Sequence, residues 1–182
     1  NSSASKQYAL SRVASAVSLA DVTIEVGEVA KIVITVTDGA TGVVNVTVNG
    51  ETQSVGLVDS KTTVLVTGLT YGEYPITVKY LGDDKYADSQ NNNYKVFVNK
   101  VSSYDFTVIA SDTIVGGKST VTVIMPSDAD GNITIGDKTA KVVGGIATIV
   151  LDAETSAGQK SVTVTYGHDS KYADNTAGVG AT

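Results

Sequence analysis

The sequence predicts an all-β chain built as two tandem sandwiches, and three observations predict it. Apolar residues make up 42% of the 182, yet Phe occurs twice, Met once and Trp never, so Val and Ile dominate the set. Side chains branched at Cβ lose freedom in a helix and pack well on a pleated sheet. Short alternating runs, bounded by Gly, Asn and Asp, recur at the roughly 8–12-residue spacing of sandwich strands. The chain also repeats itself. Asn45-Val-Thr-Val-Asn-Gly-Glu-Thr52 aligns with Asn132-Ile-Thr-Ile-Gly-Asp-Lys-Thr139 at an offset of 87. Ile32–Val36 aligns with Val121–Met125 at 89, and Ile76–Tyr80 with Val162–Tyr166 at 86. A period of about 88 residues is the length of one sandwich, not of one solenoid turn.

In chain order, residues 1–10 read as the last strand of a preceding repeat. Ser11-Arg-Val-Ala-Ser15 resembles Asn99-Lys-Val-Ser-Ser103, which sets Tyr8 and Leu10 on Val96 and Val98. Copy one is then expected over 11–99 and copy two over 100–182, the latter with a truncated last strand. On this reading the chain is a piece of a longer array. Within copy one, strands are expected near 13–24, 29–37, 43–48, 52–58, 61–67, 74–80 and 94–99. Ala30, Ile32, Ile34 and Val36 share one face of the second run; Lys31, Val33, Thr35 and Thr37 share the other. Asn49-Gly50 lies between two alternating runs and signals a type I′ hairpin, since both residues tolerate positive φ. Gly136-Asp137 takes its place in copy two. Pro75 is expected to open a strand, where a missing N–H does least harm. Seven short strands in each copy give two tandem immunoglobulin-like (Greek-key) sandwiches. The linker Val98–Ser103 contains no Gly or Pro, so limited hinge freedom is expected.

The chemistry-bearing stretch is a turn spelled twice. Tyr80-Leu-Gly-Asp-Asp-Lys-Tyr-Ala-Asp88 and Tyr166-Gly-His-Asp-Ser-Lys-Tyr-Ala-Asp174 agree at six of nine positions. Its carboxylates Asp83, Asp84, Asp88, Asp169 and Asp174 are candidate calcium ligands, because Ca²⁺ takes six to eight oxygens in flexible geometry. The turn lacks a D-x-D-x-D run and a bidentate Glu, and Asp favours turns simply by bonding its own backbone. No other cofactor is indicated. Asp84 and Tyr86 are candidate ligand contacts at a loop tip, as is the Asn91–Asn93 stretch. In the competing, structural reading, the turn is the hairpin that closes each sandwich between its sixth and seventh strands. Tyr80 and Tyr86 then cover the end of the core, with their hydroxyls reaching water or backbone.

Three further features bear on chemistry. His168 is the only histidine; a catalytic triad needs a nucleophile and an orienting acid around the base, and copy one has Gly82 there. Asn1, Asn45 and Asn132 open N-x-S/T sequons, two of them at matching places in the copies, and are glycosylation candidates. Lys31 is the nearest candidate for an internal Lys–Asn or Lys–Asp isopeptide cross-link, but alternation points it toward solvent.

The run Gly72-Glu-Tyr74-Pro-Ile76-Thr-Val78-Lys-Tyr80, followed by Gly82-Asp83-Asp-Lys-Tyr86 and preceded by the Asn45–Gly50 hairpin, carries a resemblance. It is similar to the bacterial-type immunoglobulin-like repeats of large cell-surface adhesin-like proteins, especially those of methanogenic archaea. The resemblance covers both copies. Copy two departs from it with Lys160 at the place of Tyr74 and Gly167-His168 at the place of Leu81-Gly82. It implies a surface stalk or adhesion module and supplies no catalytic residues.

Charge and composition exclude other classes. A net charge of −6, a pI near 4.6 and no basic run argue against nucleic acid. Without Cys there are no disulfides, thiolate metal sites or Cys nucleophiles. No run approaches the 18 apolar residues of a membrane span, and no signal peptide is visible. The expected protein is extracellular, at the cell surface and not an enzyme: a spacer with a role in adhesion. The alternative is a module that binds a glycan or surface protein through loop tips. Its expected partners are neighbouring repeats of the same chain, such a surface ligand, and further copies joined head to tail by strand complementation through Tyr8-Ala-Leu10.

Overall fold

The computed structural model describes residues 6–180, with side chains to 177. All regular structure in it is β, and among the described residues no helix is long and apolar enough to cross a membrane. The chain divides into two compact units after Asn99.

Unit 1 holds β1 (Val17–Ser18), β2 (Val22–Glu25), β3 (Ala30–Val36), β4 (Val43–Val48), β5 (Glu51–Gly56), β6 (Lys61–Val66), β7 (Gly72–Tyr80) and β8 (Ser89–Asn99). They form one sheet in the order β1-β3-β6 and another in the order β2-β8-β7-β4-β5. This is an immunoglobulin-like sandwich, with its first strand shared between the sheets. The core lies between the inner faces. Ile32 and Ile34 from the first sheet meet Val44, Val46, Ile76, Val78, Val96 and Val98 from the second, all buried. Burying each such side chain is worth about 1.5–3 kcal/mol. The alternation read from 30–36 holds residue by residue: Ala30, Ile32, Ile34 and Val36 are buried, while Lys31 and Val33 are exposed. Asn49 (φ 52) and Gly50 (φ 79) close the β4–β5 hairpin with positive φ.

Four details differ from the sequence reading. The expected strand 13–24 is broken. β1 pairs with β3, then the chain crosses at Leu19-Ala20-Asp21 and β2 pairs in parallel with β8. The last strand starts at Ser89 rather than 94, because Asn92 and Asn93 lie in a bulge opposite Thr77. Asn91–Asn93 therefore sit inside a paired strand, not at a loop tip, and Asn91 Nδ2 donates to the Val17 carbonyl at 2.9 Å. Pro75 lies within β7 rather than opening it. The β4–β7 ladder has already ended at Thr47↔Thr77, so no β4 partner needs the missing N–H.

Unit 2 holds β9 (Thr107–Ala110), β10 (Thr120–Ile124), β11 (Asn132–Ile135), β12 (Lys138–Lys141), β13 (Ile146–Val150), β14 (Ser161–Gly167) and β15 (Asn175–Gly180). The sheets are β13-β10-β9 and β12-β11-β14-β15. Their inner faces bury Val121, Val123, Ile133, Ile149, Val164 and Tyr166. β15 pairs with β14 from Tyr166↔Asn175 to Ser161↔Gly180. It starts at the position of Ser89, directly after the repeated turn. Residues 6–10 form no strand, and residues 1–5, including the Asn1 sequon, lie outside the described residues.

Candidate functional site

The repeated turn connects β7 to β8 in unit 1 and β14 to β15 in unit 2. In both it is organised by one carboxylate. Asp83 Oδ1 accepts the backbone N–H groups of Lys85 (2.8 Å) and Tyr86 (2.6 Å). Its Oδ2 accepts the N–H and the hydroxyl of Thr41, at 2.8 and 3.0 Å. Asp169 Oδ1 accepts Lys171 and Tyr172 N–H at 2.6 and 2.8 Å. Its Oδ2 accepts Asp130 and Gly131 N–H at 2.8 and 3.1 Å, together with the Tyr166 hydroxyl. A carboxylate has about four lone-pair sites. Both carboxylates accept at least four of the protein's own donors.

These bonds set the electrostatics. The N–H groups of Thr41, Tyr86 and Lys85 hold the Asp83 carboxyl well below the usual range. Burial works against the Asp169 charge, but the Tyr166 hydroxyl and the Tyr172, Lys171 and Asp130 N–H groups more than offset it and bring its pKa to about 2. The tyrosines shift the other way. Burial, then the Asp83 carboxylate, push Tyr80 up to about 12. Burial and Asp169 push Tyr166 up as well.

The turn also grips the chain entering each unit. Val13 N–H donates to the Lys85 carbonyl and Ala87 N–H donates back to Val13, both at 2.8 Å. In unit 2, Val101 N–H donates to Lys171 at 2.8 Å and Ala173 N–H to Val101 at 3.0 Å. Each pair is a short parallel bridge, Val13↔Tyr86 and Val101↔Tyr172. The two repeated motifs found in the sequence, the junction and the acidic turn, are thus partners in space. Ser15 Oγ adds a bond to the Ala87 carbonyl at 2.7 Å in unit 1. In unit 2 Tyr104 reaches the Ala173 carbonyl and packs on Tyr172, ring centroids 5.0 Å apart.

The tyrosine that follows the carboxylate points inward. Tyr86 and Tyr172 are each 6% exposed. Tyr86 donates its hydroxyl to the Asp38 carbonyl at 2.8 Å, and Tyr172 to Asp128 Oδ1 at 2.7 Å. Lys171 Nζ binds the other Asp128 oxygen at 2.7 Å. Tyr86 is therefore not the surface ligand contact expected of it: its ring fills the end of the core and its hydroxyl is occupied. Asp84, Asp88 and Asp174 are exposed. Among the described residues, no group of three or more His, Cys, Asp or Glu side chains is placed to hold a metal ion. His168 is exposed at φ 60, standing where Gly82 stands at φ 80. Asn45 and Asn132 lie on the outer faces of β4 and β11, partly exposed, and Asn45 Oδ1 accepts from Ser54 Oγ at 2.6 Å.

Sequence reasoning missed the loop that supplies the carboxylate's other donors, residues 38–42 and 127–131. A signal was present. Ala40-Thr-Gly42 and Ala129-Asp-Gly131 repeat at the offset of β3 and β10. Both alanines are buried, and a Cβ at Gly131 would come within 2.5 Å of the Gly167 carbonyl. At the start of β7, Tyr74 donates its hydroxyl to the Thr70 carbonyl at 3.0 Å, tying the strand to the preceding loop. Lys160, at the same place in unit 2, instead reaches Ser156 Oγ at 3.0 Å.

No family model matches the chain, and no curated protein matches it. Solved structures similar to it include the fibronectin(III)-like modules of Clostridium thermocellum CbhA, at 14% identity and TM-score 0.40, covering 91% of this chain and 92% of that one. A chimeric titin Z1Z2 tandem is similar at 13% identity and TM-score 0.32, covering 88% and 94%. Escherichia coli alpha-2-macroglobulin is similar at 12% identity and TM-score 0.36, covering 95% of this chain and 22% of that one.

Proposed function

We propose that the chain is an extracellular spacer, a stalk segment of a surface adhesin-like protein that holds other parts away from the cell. The observation that carries this reading is the use made of the repeated turn. Its carboxylate, its tyrosines and its backbone are spent in both units on fixing the entering segment to the last hairpin. That is what a module joined at both ends to further modules needs. The acidic, cysteine-free composition and the sequons on outer strand faces support an extracellular setting, with Asn45 and Asn132 as the glycan-bearing positions. Probing the chain against glycan and surface-protein arrays tests the proposal. A spacer gives no selective, saturable signal. A ligand bound selectively, and lost on Asp84→Ala, would replace the spacer by the loop-tip binding module.

A further inference from the structure

One sheet edge is guarded in unit 1 and bare in unit 2. β6 and β13 are the outer strands of the sheets β1-β3-β6 and β13-β10-β9. Each opens at a matching bridge, Val58↔Lys61 and Val143↔Ile146. Lys61, Thr63 and Leu65 therefore correspond to Ile146, Thr148 and Val150. Proteins keep edge strands from pairing with other chains by placing lysines there or by covering the backbone. Unit 1 does both. Lys61 stands on the edge, and Gln53 Nε2 of β5 donates to the Leu65 carbonyl at 3.0 Å. In unit 2 Ile146 takes the place of Lys61, and Ala140, which has no donor to offer, takes that of Gln53. Gly145 accepts the Met125 N–H and Leu151 N–H donates to the Ser119 carbonyl, both at 2.8 Å. Bonds alternate along an antiparallel pair, so Ala147 and Ile149 also face β10, while Thr148 and Val150 turn their N–H and C=O groups away from it. Among the described residues no strand lies beyond β13 in this sheet.

We infer that β13 pairs with β13 of a second copy of the chain, antiparallel about a two-fold axis, joining two sheets into one. Charge favours a copy of the same chain as the occupant. The chain carries a net −6, which opposes most contacts between copies. The run Gly144–Leu151 holds no charged residue, so two copies meet there without repulsion, and a charged foreign strand finds no complement. The nearest charges, Lys138 and Asp152, pair with each other at 3.1 Å within one copy. The run is also its own match. With Thr148 opposite the partner's Val150, and Val150 opposite the partner's Thr148, each pair exchanges both of its N–H···O bonds. Their β-branched side chains then pack side by side on the outer face, where Ile146 and Val150 are 52% and 50% exposed. The same patch serves on both copies, so the contact closes as a dimer. It does not depend on the spacer reading.

Sedimentation velocity and amide hydrogen exchange of the full chain over a concentration series test it. The expected mass rises with concentration from one copy to two and stops there. Over the same range the Thr148 and Val150 amides pass from fast exchange to protection, while those of Thr63 and Leu65 in unit 1 do not change. Thr148→Lys restores a lysine to the edge and sets two ammonium groups near each other across the two-fold axis. Its side chain lies on the exposed face, so the variant keeps the wild-type circular dichroism and loses the rise in mass. A chain that stays monomeric throughout overturns the proposal. So does association that Thr148→Lys retains, that grows past two copies, or that leaves the exchange of Thr148 and Val150 unchanged.

Discussion

Asp83 and Asp169 occupy the same place in two copies of one turn, yet they are held differently. Asp83 is half-buried, and its second oxygen is satisfied by a single residue, Thr41. Asp169 is 2% exposed, and its second oxygen gathers two backbone N–H groups and the Tyr166 hydroxyl. The tyrosine follows suit. Tyr80 donates to the Thr41 carbonyl at 2.8 Å, whereas Tyr166 donates to the carboxylate itself. What the two share is the pair of N–H groups behind the turn and the bridge to the entering segment. The difference teaches that the grip on the entering chain is the constant part, and the way its charge is neutralised is free to vary.

The largest expected effect comes from removing the buried carboxylate. Asp169→Ala leaves the Asp130, Lys171 and Tyr172 N–H groups and the Tyr166 hydroxyl without their acceptor, with Gly131 N–H keeping only the Tyr166 oxygen, and should destabilise unit 2 by about 3 kcal/mol in denaturant unfolding. Asp83→Ala should cost unit 1 distinctly less, since water can reach the freed donors; equal losses would break the comparison.

Gly82→His comes next. A Cβ at Gly82 would lie 2.9 Å from the Tyr86 carbonyl and 3.0 Å from Asp88 N. Added to the penalty for a side chain at positive φ, this should destabilise unit 1 by about 2 kcal/mol. The reverse change, His168→Gly, relieves the same φ in unit 2 and should leave it unchanged or more stable by under about 1 kcal/mol. Tyr74→Phe removes the bond to Thr70 and should lower unit 1 stability by about 1 kcal/mol, while Lys160→Ala in unit 2 should fall within about 0.5 kcal/mol.

The pH dependence sharpens the comparison at both ends of the scale. The carboxyls of Asp83 and Asp169 titrate lower folded than unfolded. Their stabilisation is complete above the unfolded pKa of about 3.9 and is lost as pH falls toward the folded value. Melting temperatures should therefore drop below about pH 4, with the Asp169 part spent by about 2. Tyr80 titrates higher folded than unfolded, so its contribution is complete below about pH 10 and lost as pH rises through about 12. Tyr80→Phe should flatten the alkaline limb of unit 1 and leave the acid limb in place.

Much of this was legible in the sequence. Strict alternation over Ala30–Val36 fixed a face, because only one face of that strand meets the core. Asn49-Gly50 marked a hairpin, and the repeat located the turn between the last two strands. Other parts were hidden for physical reasons. The crossing at Leu19–Asp21 changes the partner strand, and its only trace in 13–24 is a change of phase, from Val17 and Leu19 to Val22 and Ile24. Asn91–Asn93 reads as loop because three amides in a row carry no face preference, yet a bulge absorbs them. Tyr86 reads in the sequence both as a loop-tip contact and as a cover for the end of the core; what decides for the core is the loop 38–42, more than forty residues away in the chain, whose Asp38 carbonyl takes its hydroxyl.

Amide hydrogen exchange at Val13, Ala87, Val101 and Ala173 tests the account most directly. These N–H groups make the bridges between the turns and the entering segments. In buffer with a calcium chelator all four should be protected, with calcium making no difference. Asp169→Asn, chosen as the milder change, should release Val101 and Ala173 while Val13 and Ala87 stay protected. Protection that appears only with calcium, or that survives loss of the Asp169 charge, would contradict the claim that the repeated turn is a lock built from the chain's own donors.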